Sequence, residues 1–391
     1  MSDQKLLLYM IAGEPSGDLL GGSLMAALRQ RTGDRIAFAG IGGPKMTEQG
    51  LEPLFPMTEL AVFGLAEVVP KIPQLMRRGD QTLADIARLQ PAALVTIDAP
   101  GFTLRVAERV KTLDIPRIHY VAPSVWAWKP GRAAKIAKYL THLMALLPFE
   151  PPYFEKEHLP CTFVGHPAIE GKAGKGDGTA FRARHGLTPD RRVVVMLPGS
   201  RNGEINRMLP IFLEALRQLQ SGREPFTVVV PVPAYLAGKV RGGLEGSGLD
   251  TLLIEGDAEK FDAFAAAEMA LAKSGTVTLE LALSGVPTVI AYRINPLTHF
   301  VAVRMITGRF AGLPNVILNR ILMPELLQYD CTPDRLVTEL SRLLDDPAAR
   351  QAQLDGGSEI RRNLSPPGMT PSEAAADVVL GVLSQRLPIG R

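Results

Sequence analysis

Cysteine is almost missing from this 391-residue chain: Cys161 and Cys331 are its two, 170 residues apart. Neither belongs to a C-x-x-C or Cys/His spacing, so a disulfide framework and a structural zinc site are excluded as organising features. The six histidines show no metal-binding pairing, and neither a D-x-D triplet nor a G-x-S-x-G elbow occurs, which argues against metal-dependent and serine-hydrolase chemistry. Excess charge is also scarce. Lys+Arg 43 against Asp+Glu 40 leaves +3, too little to point to nucleic acid. No run approaches the roughly 20 uninterrupted apolar residues that span a bilayer. The first apolar run, residues 6–12, stops at Gly13-Glu14 without a cleavage pattern, so no signal peptide is expected.

What is present is ordinary globular material: 46% hydrophobic and 21% charged residues. At roughly 100–200 residues per domain, the length predicts two domains. Short apolar runs at 6–11, 36–41, 92–97, 117–121 and 142–147 alternate with helical stretches, including 19–29 and 81–89. Such runs indicate parallel strands covered on both faces. The stretch 173–178 reads as a linker, since four residues of 171–178 are glycine. The pattern then restarts with strands at 192–197, 226–230, 252–254, 269–273 and 287–292. The expected fold is therefore α/β, two tandem Rossmann-like doubly wound domains at 1–170 and 190–364 with an interdomain cleft. Thr370, Pro371 and Glu373 form a helix start. That last helix, within 370–385, returns to the first domain or exchanges with a second copy in a homodimer.

Doubly wound sheets bind ligands beyond the carboxyl ends of their strands, which makes the residues just after each strand the informative ones. After the first strand, Gly13, Glu14, Ser16, Gly17 and Asp18 open a helix. The two carboxylates would repel a pyrophosphate, which leaves contacts to sugar hydroxyls or a structural turn. Asp98 ends the run 93–97 and is either a general base or a helix cap. Ser200 and Arg201 follow the first strand of the second half, where the arginine suits phosphate oxygens and the serine suits a cap. Ser274, Gly275 and Thr276 form another anion-binding loop, and Glu280 is a ribose ligand or a solvated carboxylate. Residues 60–78 are apolar, with Lys71, Arg77 and Arg78 late in the run. This segment docks on an anionic interface, holds an acyl chain, or is a loop packed on the core; Pro70 and Pro73 argue against one long helix. Residues 299–310 are a second such segment, with Arg304 and Arg309.

Taken in order, AGEPSGDLLGG (12–22), GIGGPKM (40–46), DAPGF (98–102), YVAPSVWAWKPGR (120–132) and LPFEPPYF (147–154) resemble the lipid-A-disaccharide synthases. FVGHP (163–167), LPGSRNGEI (197–205), KSGTVTLEL (273–281), AYRINPLT (291–298), LPN (313–315) and PELLQ (324–328) extend the likeness along nearly the whole chain. That resemblance implies a glycosyltransferase of B-type fold that joins UDP-2,3-diacylglucosamine to 2,3-diacylglucosamine 1-phosphate. It implies no cofactor and no metal, no nucleic-acid partner, and a peripheral position on the cytoplasmic face of the inner membrane of a Gram-negative bacterium. Residue by residue, it makes Asp98 the base and puts Arg201 near the donor phosphates. Ser274, Gly275, Thr276 and Glu280 become the nucleotide-sugar loop and ribose acid, and Asn295 and Asn315 substrate-binding residues. Val68, Val69, Ile72, Arg77 and Arg78 become the membrane or acyl contact.

This chain departs from the family pattern at Pro15, where alanine is frequent, and at Ala122, where serine is frequent. Gly101 stands where many members have a second aspartate. Two other readings compete: a UDP-N-acetylglucosamine 2-epimerase on the same fold, and a catalytically idle nucleotide-sugar binder. The apolar segment at 60–78 speaks against the first, and the presence of both Asp98 and Arg201 against the second.

Overall fold

A computed structural model describes residues 5–60, 65–127, 131–295 and 309–385, the side chains of residues 34 and 65–69 excepted. The chain forms two compact units. Unit 1 comprises Met1–Pro167 and Leu364–Arg391, and unit 2 comprises Ala168–Asn363.

Unit 1 is built on β1 (Leu6–Ala12), β2 (Ile36–Ile41), β3 (Ala93–Ile97), β4 (Arg117–Tyr120), β5 (His142–Ala145) and β6 (Cys161–Phe163). They pair in the order β2-β1-β3-β4-β5-β6, all parallel. Unit 2 uses β7 (Val193–Leu197), β8 (Thr227–Val232), β9 (Asp250–Glu255), β10 (Met269–Lys273), β11 (Thr288–Tyr292) and β12 (Glu325–Leu327). Their order is β12-β11-β10-β7-β8-β9, again all parallel. The expected doubly wound α/β architecture is present in both halves.

The period of two along a strand explains the double covering. In β7, Val194 and Met196 enter one apolar cluster while Val193, Val195 and Leu197 enter the other. Neither face meets water, so all five residues are apolar. The reversal of strand order falls between β1 and β3 in unit 1 and between β7 and β10 in unit 2. Ala12 pairs with Ile97 and Leu197 with Ala272, so the loops that follow these strands lie side by side. Those paired loops are the crevices where such sheets bind ligands.

Four expectations need correction. The glycine-rich stretch is not a linker. Gly174 N donates to Ser284 Oγ at 3.1 Å, and a Cβ on Gly176 would stand 2.0 Å from Phe261 O. Glycine is there because backbone meets backbone, and the first crossing between units falls at Pro167/Ala168. The helix expected at 81–89 runs from Leu65 to Leu89 through Pro70 and Pro73. Both prolines are exposed, so the helix bonds they remove are lost beside water rather than inside a core. The short strands β6 and β12 went unread, since three residues hold no period. Finally, the helix expected from 19 begins at Pro15.

The Pro371–Ser384 helix starts with a full capping box between Thr370 and Glu373. Its Ala374, Ala375, Ala376, Val379 and Leu383 join the core of unit 1, against the Pro15–Thr32 helix.

Candidate functional site: two sheet crevices with opposite chemistry

In unit 1 the β1 and β3 loops meet closely: a Cβ on Gly13 would come within 2.7 Å of Ala99 Cβ. Gly13 and Gly17 are buried, and this packing accounts for them without a ligand. Asp98 and Ala99 both have positive φ, 46° and 42°, a conformation that non-glycine residues seldom adopt and that clusters at functional sites. It is held by Asp98 N donating to Tyr120 O at 2.9 Å and Thr103 Oγ1 donating to Asp98 O at 2.6 Å. Asp98 is not a helix cap. The adjacent Thr103–Arg109 helix has Phe102 at that position, with no side-chain cap bond. The Asp98 carboxylate instead accepts from Ser16 Oγ at 3.5 Å.

Directly beside it opens a cavity of about 610 Å³ whose walls include Leu60, Ile72, Leu75, Met76, Phe102 and Val106, with Glu14, Asp80, Arg105 and Arg109 among its polar residues. Ile72 and Met76 are 41% and 62% exposed, one helical turn apart, an arrangement that needs an apolar partner more than water. Arg77 is exposed near them.

Asp18, expected at the substrate, and Arg78, expected at the membrane or acyl chain, have their polar atoms engaged within unit 1. Asp18 is buried, and its carboxylate accepts from the backbone N–H groups of Gly43, Lys45 and Met46 at 2.8–3.0 Å. Arg78 forks onto Glu59, with Nη2 at 2.6 Å and Nε at 2.8 Å, and stacks over Phe55. Hydrogen bonds from Arg78 and Gln74 hold the Glu59 carboxyl down at about 2. A bidentate pair of this kind leaves Arg78 little to offer an anionic surface. The side chains of Val68 and Val69 and most of residues 299–310, Arg304 included, lie outside the described residues.

In unit 2 a cavity of about 400 Å³ brings together Ser200, Arg201, Gly275, Thr276 and Glu280, as expected, and adds Asp257, Lys260 and Lys273. Ser200 does not cap the Asn202–Gln220 helix; Arg201 occupies that position. Ser200 N donates to Glu204 Oε2 at 2.9 Å, and its carbonyl accepts from Tyr235 Oη. The buried Glu204 also takes Arg201 Nη1 at 3.4 Å and Lys273 Nζ at 3.0 Å on Oε1. Burial opposes its ionisation, yet the Ser200 N–H, Lys273 and Arg201 hold its carboxyl below the usual range. At the other end Lys260 meets Glu280 at 3.1 Å and Asp257 at 3.2 Å.

The cavity is thus electrically divided. Two cations share one carboxylate at the Arg201 end, and one cation faces two carboxylates at the Glu280 end. Ser274 contributes little to it, since its N–H goes to Ala291 O and its hydroxyl to Ala311 O. Asn315 is fully buried, with its amide bonded to Met323 O, Glu325 and the Leu322 and Met323 N–H groups. These bonds fasten the loop at Leu322–Met323. Asn295 is exposed beyond β11 and is not part of the cavity wall.

A family profile described as lipid-A-disaccharide synthetase matches residues 8–378. The chain is 53% identical over 384 residues to the lipid-A-disaccharide synthase of Rhodospirillum centenum, covering 98% of this chain and 96% of that one. Against the synthase of Paramagnetospirillum magneticum it is 48% identical, covering 97% and 98%. The chain belongs to the lipid-A-disaccharide synthase family. It is therefore an enzyme, a glycosyltransferase of lipid A biosynthesis. Solved structures share the fold at low identity. The kitacinnamycin glycotransferase superposes with TM-score 0.65 at 17% identity, covering 96% of this chain and 99% of that one. A protein described as UDP-N-acetylglucosamine 2-epimerase from Listeria monocytogenes reaches 0.64 at 14%, covering 99% and 98%. Fold alone does not separate transferase from epimerase; identity to the synthases does.

Within this synthase family member, Glu204, Lys260 and Lys273 were missed by sequence reasoning. Each lies in or beside a quoted motif or helix start. Nothing in linear spacing reveals that Glu204 and Lys273, 69 positions apart, meet across the β7/β10 crevice. Among the described residues no helix is long and apolar enough to cross a membrane.

Proposed function

We propose that this chain transfers the sugar of UDP-2,3-diacylglucosamine to the 6-hydroxyl of 2,3-diacylglucosamine 1-phosphate. The products are a β-1',6-linked disaccharide 1-phosphate and UDP, formed by one inverting displacement without a metal. The observation that best supports it is Asp98, a carboxylate on a strained backbone whose next residues, Ala99, Pro100 and Gly101, line a largely apolar cavity of about 610 Å³. A carboxylate there is a base for a sugar hydroxyl, and the cavity beside it suits an acyl chain.

Asp98 takes the hydroxyl proton as the donor sugar passes through an oxocarbenium-like state. Ser16, which donates to the same carboxylate, keeps its lone pairs aimed. Charge develops on the departing UDP, and Arg201 with the Gly275–Thr276 loop stabilises it. The acidic end of the unit 2 cavity, Glu280 and Asp257, suits the ribose hydroxyls. Ile72, Met76 and Arg77 meet the surface of the cytoplasmic membrane leaflet, where apolar and basic side chains gain together.

The test is UDP release with the two diacylated substrates, run with and without a chelator. Release that needs both substrates and survives chelation is expected. Release of free 2-epimer from a UDP-sugar alone would sink the reading.

A further inference from the structure

Lys273 closes β10 at the floor of the unit 2 cavity, its side chain only 15% exposed. Its ammonium stands 3.0 Å from Glu204 Oε1 and 4.7 Å from the centre of the Tyr292 ring. Arg201 reaches the same Glu204 oxygen at 3.4 Å from the opposite strand loop, with its side chain 67% exposed. One buried carboxylate therefore gathers two cations to a single point and, through Oε2, also aims the Ser200 N–H. A lone ion pair would be neutral; this cluster keeps a net positive charge facing the cavity. The buried Lys273 ammonium shares its one carboxylate with the Arg201 guanidinium, so its charge is only part-neutralised, which is costly unless a further anion completes the set. A diphosphate is such an anion, and the opposite, acidic end of the cavity dictates which way round it lies.

We propose that Lys273 is a second cation for the donor diphosphate, and that Glu204 is the positioning residue that holds Lys273 and Arg201 together for it. This rests on the reading that unit 2 holds the UDP-sugar. Arg201, the more exposed of the two, follows the charge onto the leaving group, whereas Lys273, held by Glu204 and Tyr292, sets where the phosphates sit.

The full-length protein is titrated calorimetrically with UDP and with uridine, which lacks the phosphates. K273M keeps a long unbranched side chain beside Tyr292 and removes the charge. It is expected to weaken UDP at least 10-fold, about 1.4 kcal/mol, and to leave uridine unchanged. An unchanged UDP affinity, or an equal loss for UDP and uridine, overturns the proposal. If K273M does not fold, the neutral K273Q is measured against the same two outcomes. E204Q keeps an acceptor for Ser200 but frees both cations. Turnover should fall at least 10-fold while UDP affinity does not fall; unchanged turnover overturns the positioning role. Failure of the wild-type protein to bind UDP would instead bring down the reading of unit 2 itself.

Discussion

The crevice between β1 and β3 and the crevice between β7 and β10 obey one topological rule and hold opposite chemistry. Each lies where the strand order reverses, and each pairs a loop that opens a long helix with a loop from the neighbouring strand. Beside the first stand a single strained carboxylate and a largely apolar cavity. Around the second, three cations and three carboxylates are sorted into a positive and a negative end. The backbone decides where a ligand goes; the side chains at the strand ends decide which ligand it is.

The sharpest way to break this division is Asp98→Asn. It should lower turnover by roughly 10²–10⁴-fold while UDP affinity stays at the wild-type value, since removing a general base acts on the chemical step. A parallel loss of UDP binding, seen by calorimetry, would erase the separation of roles. Arg201→Ala should cost about 2–4 kcal/mol in kcat/KM, the scale of a lost charge-stabilising donor; near-normal kinetics would make the arginine structural. Asp18→Ala tests fold against site within one loop. It strips three buried or partly buried backbone N–H groups of their acceptor and should destabilise unit 1 by roughly 2–4 kcal/mol in denaturant unfolding. A variant with wild-type stability and impaired sugar binding would return Asp18 to the ligand.

Met76→Glu probes the apolar side. Placing a charge beside an acyl chain should raise KM for the diacylated acceptor about 10-fold, the scale of one disrupted apolar contact, and leave UDP affinity alone. An unaltered KM would remove this cavity from acceptor binding.

The smallest effect concerns Glu150, which is buried and accepts from Trp126 Nε1 at 3.1 Å and Leu147 N at 3.0 Å. Burial raises its carboxyl from 4.5 to about 7, against the pull of those two bonds. The folded protein then holds this proton more tightly than the unfolded chain. Its contribution is complete below pH 4.5, is lost as pH rises towards about 7, and is level above that. Thermal melting across this window should show the decline in wild type, and Glu150→Gln should flatten it. A decline that persists unchanged in the variant would assign it to other groups.

Much of this was legible in order along the chain. Ten of the twelve strands among the described residues were readable because a strand covered on both faces is apolar at nearly every position, as β7 is throughout and β3 is apart from Thr96. The post-strand loops followed from the same runs, and so did Asp98 and Arg201. Other features were invisible for a physical reason. The period of a three-residue edge strand does not exist, so β6 and β12 left no signal. Glycine reads as flexible until its neighbours are known, and at Gly176 the neighbour is a carbonyl 2.0 Å from where a Cβ would be. Asp18 and Asn315 have the composition of ligand contacts, and only the structure shows their polar atoms bonded to backbone and, for Asn315, to Glu325.

The sequence by itself determined the family, the double α/β architecture and the strand-end loops, because hydrophobic runs and strand-end motifs are local properties. Only the tertiary structure decided which polar groups at those places face a cavity and which fasten a loop. It also assembled the Glu204–Arg201–Lys273 cluster. Charges act through space over a few ångströms, and strand pairing, not sequence distance, sets which of them are that close.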